Sequence, residues 1–281
     1  MKIAVIGANG QLGSWVLRKL ALEHEVVGLN SKQLDIGKEE QVTKVLTRIK
    51  PQYIINCAAY NNVNQAEVEV SAAKYVNELG VYHLAQVAKQ LEATLIHIST
   101  DYVFDGKKGM PYWEEDQPNP LNIYGITKYS GERLIQEICQ KYMIIRTSWL
   151  YSEKPNNFVH TILNKARQQT ELKVINDHFG TPTLAEDLAE VIKQLIQHDG
   201  QGIYHASGNG KCSWYEFAES ILKFSGIKCH IEPISYKAYP ELAQKPVYSV
   251  LDNKRLRESI GDTMGEWQDT LEKFMKAYKN E

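Results

Sequence analysis

Ile3-Ala4-Val5-Ile6-Gly7-Ala8-Asn9-Gly10-Gln11-Leu12-Gly13 decides the fold. Its first four residues are a short, continuous apolar run rich in β-branched side chains, the pattern of a strand buried on both faces. Three glycines spaced Gly-x-x-Gly-x-x-Gly follow, and a helical pattern runs over 12–22. Glycines placed so make a tight turn, admit a pyrophosphate close to the backbone, and let helix and strand pack closely. The helix N-terminus adds free amide donors and the positive end of a dipole. Such a trio is often only a turn, and the commonest dinucleotide fingerprint is Gly-x-Gly-x-x-Gly. Its place between a first strand and a first helix points to nucleotide binding, with Gly7, Gly10 and Gly13 against the cofactor.

Working outward, 25–29 reads as a second strand that ends at Asn30-Ser31-Lys32. An acidic residue near this point holds the ribose 2′-hydroxyl in NAD-selective sites. None stands here, and Lys32 is near enough in sequence to meet a 2′-phosphate, so NADPH is the expected cofactor, with NADH as a weaker substitute. Lys32 as a solvated loop residue is the plainer alternative. Asp35 has two readings, an acceptor for the adenine amino group or a cap for the helix over 38–49. Residues 53–57 form a third strand, and Ala58-Ala59-Tyr60 past its end is small-residue backbone suited to lie along a cofactor. The helical stretch 65–91 holds Asn77 near its middle, as a bend, a solvent-facing residue or a holder of water. A fourth strand over 95–99 ends in Thr100-Asp101-Tyr102, where open α/β sheets bind ligands.

A Pro-rich loop over 110–120 leads into a helix over 122–140, and 143–147 is a fifth strand closing on Ser148-Trp149. Strand and helix alternate with short connections, so the fold class is α/β, a doubly wound, Rossmann-type parallel sheet. Beyond Tyr151 the alternation loosens into helices over 158–168, 185–197 and 214–224, with strands over 172–175 and 203–206. A closing amphipathic helix over 266–278 puts Trp267, Leu271, Phe274 and Met275 on one face, as core. Residues 1–150 are thus the nucleotide-binding domain. Residues 151–281 are mainly a smaller substrate-binding region, with some segments returning to the first.

The 281 residues are 43% hydrophobic with net charge −2. Acidic and basic side chains are interleaved, which gives no sign of a nucleic-acid or membrane partner. Four scattered cysteines, without a Cys-x-x-Cys pair, read as reduced thiols rather than a disulfide framework or metal site. Gly7, Asn9, Gly10 and Gln11 interrupt the N-terminal apolar run too early for a signal peptide. No run reaches a membrane span, and the cytoplasm is the expected compartment.

Chemistry centres on Tyr124-Gly125-Ile126-Thr127-Lys128. A tyrosine and a lysine four apart share one helix face, and a neighbouring ammonium favours a phenolate. The pair would exchange a proton with an alcohol or ketone near neutral pH. Spacing alone is weak in a chain of 16 tyrosines, since Tyr129 with Arg133 and Tyr142 with Arg146 repeat it.

The glycine loop, Ser99-Thr100-Asp101 and Tyr124-x-x-x-Lys128 resemble the extended short-chain dehydrogenase/reductases. Within these, four stretches resemble the dTDP-4-dehydrorhamnose reductases. They are Ser99-Thr100-Asp101-Tyr102-Val103-Phe104-Asp105-Gly106, Asn122-x-Tyr124-Gly125-x-Thr127-Lys128, Arg146-Thr147-Ser148-Trp149 and Val174-Ile175-Asn176-Asp177-x-Phe179-Gly180. The resemblance implies reduction of the C4 ketone of dTDP-4-dehydro-6-deoxy-L-mannose to dTDP-L-rhamnose, for surface polysaccharide. Tyr124 would then protonate the C4 oxygen, Thr100 would bind it, and Lys128 would hold the nicotinamide ribose and lower the tyrosine pKa. Gly10, Gln11, Leu12, Asn30, Asp35, Ile36, Ala58, Ala59, Tyr60, Tyr124 and Lys128 would contact the cofactor, and Thr100, Asp101, Tyr102 and Trp149 the sugar nucleotide. Lys154, Asn157, Arg167 and loop 176–180 are candidates for its pyrophosphate. Some members dimerise through magnesium held by glutamates; Trp15 stands at one such position, so no metal and a monomer or weak homodimer are expected.

Two rival readings share these features. An NAD-dependent sugar-nucleotide epimerase or dehydratase of the same fold would retain its nucleotide tightly. A non-catalytic regulatory subunit, of the kind attached to methionine adenosyltransferase, would need none of the Thr100, Tyr124 and Lys128 set, which here is intact.

Overall fold

The computed structural model describes residues 1–238, 242–261 and 263–278. The first strand, β1 (Lys2–Ile6), is followed by α1 (Gln11–Leu20), β2 (Glu25–Leu29), α2 (Glu39–Ile49) and β3 (Tyr53–Asn56). Short helices α3 (Val63–Ala66) and α4 (Val70–Lys74) lead through a π-helical turn, Tyr75–Leu79, into α5 (Gly80–Gln90). Then come β4 (Thr94–Thr100), α6 (Ile123–Ile138) and β5 (Tyr142–Thr147). The remainder holds β6 (Leu150–Tyr151), α7 (Phe158–Gln168), β7 (Glu171–Ile175), β8 (Phe179–Gly180) and β9 (Thr183–Leu184). It continues through α8 (Ala185–Gln197), β10 (Gly202–His205), β11 (Cys212–Ser213), α9 (Trp214–Ser225), β12 (His230–Ile234), α10 (Lys254–Ile260) and α11 (Trp267–Tyr278).

Six strands pair in the order β10-β5-β4-β3-β1-β2, every pair parallel. Alternation along each strand feeds two cores. Ile3, Val5, Ile55, Ile96 and Ile145 face one, with α1 and α8. Ala4, Ile6, Ile54, Leu95 and Ile144 face the other, with α2 and α5. A sheet covered on both sides needs continuous apolar strands, which is why these segments read so plainly. Strand order reverses between β1 and β3, so the crevice for a ligand opens past their C-terminal ends.

A third core joins α7, α9 and α11 over β7, and buries Trp267, Leu271 and Met275 with Phe274 packed against them. The expected faces of α11 are thus core. β12 pairs with β7 alone and contains Pro233, whose missing N–H demotes a strand in any sequence reading. The stretch read as one helix over 65–91 is three helices and a π turn. That turn carries Asn77 inward, where it is 1% exposed. It is neither solvent-facing nor a simple bend.

Candidate active site

The site is assembled at the C-terminal ends of β1, β3, β4 and β5. Asn122 caps α6, its Oδ1 accepting from the Gly125 amide at 2.8 Å. A Cβ on Gly125 would lie 2.2 Å from the Tyr102 carbonyl oxygen, so the first turn of α6 rests directly on the turn after β4. This contact sets Tyr124 beside Thr100 and Asp101, close enough for both to bear on the phenol's pKa.

Thr100 donates its own proton to Asp101 Oδ1 at 3.0 Å, and Ser249 donates to Oδ2 at 2.5 Å. Burial pushes the Asp101 carboxyl up to about 7 against the hydrogen bonds from Ser249 and Thr100 that favour its charge. The Tyr124 phenol is pushed up to about 12, mainly by burial; the Thr100 hydroxyl opposes this and the Asp101 charge adds to it.

The expectation that an ammonium on Lys128 lowers this pKa is not met: burial dominates and raises it. Lys128 is 1% exposed, and its Nζ turns to the β4 backbone, donating to the Ile98 carbonyl at 2.6 Å and lying 3.0 Å from His97 Nε2. Burial lowers the lysine to about 8, against the charge of Glu132 one turn on and of Cys57. Glu132 is itself held by both arms of the buried Arg146 guanidinium, at 3.0 and 2.7 Å.

The glycine loop has the shape that a phosphate-binding backbone needs. Gly7 has φ +75°, and a Cβ there would lie 2.7 Å from the Ala58 amide nitrogen across the switch point. A Cβ on Gly13 would lie 2.2 Å from the Gly7 carbonyl oxygen. Gly10 caps α1 without a side chain over its first amides; Gln11 and Leu12 follow at the helix start. Ala58 is pinned by Asn56, and the Tyr60 amide and carbonyl are both held by the Asn77 side chain, which also donates to Thr127 on α6. Ala59 between them is exposed. A cradle without side chains at the helix start, and a strap of small residues opposite it, fit a dinucleotide.

At the end of β2, Asn30 Oδ1 accepts from the amides of Lys32 and Gln33, and Lys32 is exposed. Asp35 does not cap α2, whose cap position is Lys38. Its carboxylate accepts from the Gly37 amide and the Tyr75 hydroxyl, with Ile36 buried beside it.

On the substrate side, Trp149 has φ +45° and stacks on Trp214 with ring centroids 3.5 Å apart. A Cβ on Gly180 would meet the Trp149 ring at 2.5 Å, so that glycine is what lets the indole lie flat. Tyr102 meets Tyr124 edge to face at 5.9 Å. Two pyrophosphate candidates have another task. Lys154 Nζ donates to the Asn9 carbonyl, and Asn157 caps α7 while donating to Gln11 Oε1, so both clamp the glycine loop. Arg167 is exposed in the last turn of α7, and Asp177 of loop 176–180 is bound to Ser235 and Tyr236. Trp15 donates to Glu153 under the Arg18 guanidinium.

Sequence reading missed Ser249, Asn56 and His97. Asn56 and His97 had a signal, as polar residues inside otherwise apolar strands, where burial demands a partner. Ser249 had none, since its partner lies 148 residues earlier.

A parallel sheet, a glycine cradle at its switch point and a Thr-Tyr-Lys set past its fourth strand define a dinucleotide-dependent short-chain dehydrogenase/reductase. Comparison sharpens this. The family model "RmlD substrate binding domain" matches residues 1–280. A dTDP-4-dehydrorhamnose reductase of Aggregatibacter actinomycetemcomitans is 39% identical, over 99% of each chain. The spore coat polysaccharide biosynthesis protein SpsK of Bacillus subtilis is 38% identical, over 98% of this chain and 97% of its own. The crystal structure of dTDP-4-dehydrorhamnose reductase from Bacillus anthracis in complex with NADP superposes with TM-score 0.96 at 39% identity, over 98% and 99% of the two chains. The chain belongs to the dTDP-4-dehydrorhamnose reductase family.

Proposed function

We propose that this chain reduces dTDP-4-dehydrorhamnose to dTDP-L-rhamnose with NADPH, as a step in making rhamnose for polysaccharide. The observation that carries the chemistry is Tyr124, half-buried beside Thr100 and held as a phenol at neutral pH. Reduction of a ketone needs an acid that begins protonated, and a phenol at about 12 meets that condition.

Bound NADPH supplies the hydride. Gly7, Gly10, Gln11, Leu12 and Gly13 hold its pyrophosphate on backbone amides, and Ala58, Ala59 and Tyr60 lie along it. Asn30, Asp35 and Ile36 border the adenosine end, where no acidic side chain directly follows β2 to repel a 2′-phosphate. Lys128 holds the nicotinamide ribose. Thr100 orients the C4 oxygen and Tyr124 gives it a proton as the carbon receives hydride. Asp101 and Tyr102 border the sugar, and Trp149 forms a flat wall against it. The partner is thus a small sugar nucleotide. No helix among the described residues is long and apolar enough to cross a membrane. Work in the cytoplasm, as a monomer or weak homodimer, completes the proposal.

The test couples upstream enzymes to generate the 4-keto sugar and follows NADPH absorbance. Substrate-dependent oxidation is expected; folded protein that shows none refutes the proposal. Running the assay with NADH checks the β2 reasoning, because a preference for NADH would overturn it. The epimerase or dehydratase reading predicts about one tightly retained NAD per purified chain, whereas a reductase exchanges its cofactor.

A further inference from the structure

The bonds around Lys128 fix more than its position. Asn56 is fully buried at the end of β3, and its Oδ1 accepts from the Ala58 backbone amide at 3.1 Å. A backbone N–H can only donate, so the amide group has one orientation; turned over, its NH₂ would face that N–H. Nδ2 is therefore the atom that meets His97 Nδ1 at 3.1 Å, and it too can only donate. His97 Nδ1 must carry a lone pair. A neutral imidazole with a bare Nδ1 has its proton on Nε2, and Nε2 faces Lys128 Nζ at 3.0 Å in a fully buried setting. An ammonium there would set donor against donor. An amine resolves the conflict, since it donates to the Ile98 carbonyl and offers its lone pair to the His97 Nε2–H.

We propose that Asn56 and His97 are positioning residues that lock His97 as the Nε2–H tautomer and thereby lower the proton affinity of Lys128. The assignment of Lys128 to the reaction rests on the reductase reading; the tautomer does not. Other groups facing Lys128 do not displace this. Cys57, past β3, is a half-buried thiol whose pKa is raised to about 12, and Glu132 on α6 is engaged by Arg146 of β5. Tyr124, on the same helix, lies beside Thr100. Burial depresses His97 well below its ordinary value, which fits a ring carrying one proton, and it lowers Lys128 to about 8.

The test is a long-range ¹H–¹⁵N correlation spectrum of cofactor-free, full-length protein labelled at histidine nitrogens. Protonated and bare ring nitrogens resonate far apart, so each tautomer has its own pattern. His97→Gln removes the relevant signals and identifies them. Lys128→Met, which deletes the ring's neighbour and shifts those signals, serves if the first variant does not fold. The Nε2–H pattern is expected. An Nδ1–H pattern or a doubly protonated ring at pH 7 overturns the proposal. Asn56→Asp then supplies the converse, because a carboxylate accepts from Nδ1–H, frees Nε2 to accept from an ammonium, and still receives the Ala58 amide. In that variant the ring should switch to Nδ1–H, and the Lys128 limb of the kcat/KM pH profile should move up by about one pH unit or more. A folded variant that keeps the Nε2–H ring overturns the role given to Asn56. Inactive wild-type protein with an Nε2–H ring would refute the reductase reading and leave this one standing.

Discussion

Replacing Asp101 by Asn should stabilise the protein while it damages the site. Asp101 is 2% exposed, and its carboxyl is raised from 3.8 to about 7 by burial. A carboxyl whose folded pKa is raised holds its proton in the native state where the unfolded chain has released it. Stability from this group therefore falls as pH rises from about 4 to about 7, and stays low above that. The full difference, at about 1.4 kcal/mol per pH unit, is about 4 kcal/mol. Asn has the same shape and no charge to desolvate. It loses an acceptor where Ser249 or Thr100 now donates, a pH-independent cost of about 1–2 kcal/mol, reduced because a hydroxyl can turn to accept. Urea denaturation of wild type and variant at pH 5 and pH 8 isolates the charge term. The advantage of the variant should grow by about 2–3 kcal/mol between the two pH values. A stability difference that does not change with pH would refute the reasoning, whatever its sign. Turnover of the variant should drop, since Thr100 loses the acceptor that orients its hydroxyl.

Three further outcomes are expected. Tyr124→Phe should lower kcat about 10²–10⁴-fold in the coupled NADPH assay with the NADPH Kd nearly unchanged, and a smaller loss would give the proton donation to another group. Gly13→Ala forces a methyl to 2.2 Å from the Gly7 carbonyl oxygen, so fluorescence titration should show NADPH binding weakened at least about tenfold, and Tm should fall. Glu132→Gln leaves the Arg146 guanidinium buried without its carboxylate and should cost about 3–5 kcal/mol in urea unfolding; a change under about 1 kcal/mol would show that His205 and water suffice.

The inner strands of the central sheet were legible because they are buried on both faces and largely apolar; β2, at the edge and half-buried, still falls on 25–29 as read. Helices α7 and α8 span 158–168 and 185–197 as read, since each has a strong 3.6-residue stripe facing one core. The Thr100, Tyr124 and Lys128 set was brought together by a rule of topology, the ligand crevice at the strand ends. What stayed hidden depends on partners far apart in the chain. Asn77 is turned inward by a π-helical turn, and its bonds go to Tyr60 and Thr127, 17 and 50 residues away. Lys128 was read from its spacing to Tyr124 and from the resemblance, neither of which shows that its Nζ lies 3.0 Å from His97 Nε2 and donates to the Ile98 carbonyl. Lys154 and Asn157 have the chemistry of anion binders, and what no spacing showed is that Lys154 also donates to the Asn9 carbonyl and Asn157 to Gln11 of the glycine loop.

The outermost strand, β10, closes an edge that opened 60 residues earlier. Until Gly202–His205 pairs with Met143–Arg146, β5 presents a row of unpaired backbone groups along Met143-Ile144-Ile145. During synthesis this edge is exposed while α7 to α8 emerge, a window in which chains at high local concentration can pair with each other instead. A fragment ending near residue 150 would keep that edge open for good. It should collect as insoluble material, while a fragment extending through α8 and β10 has the means to cover it.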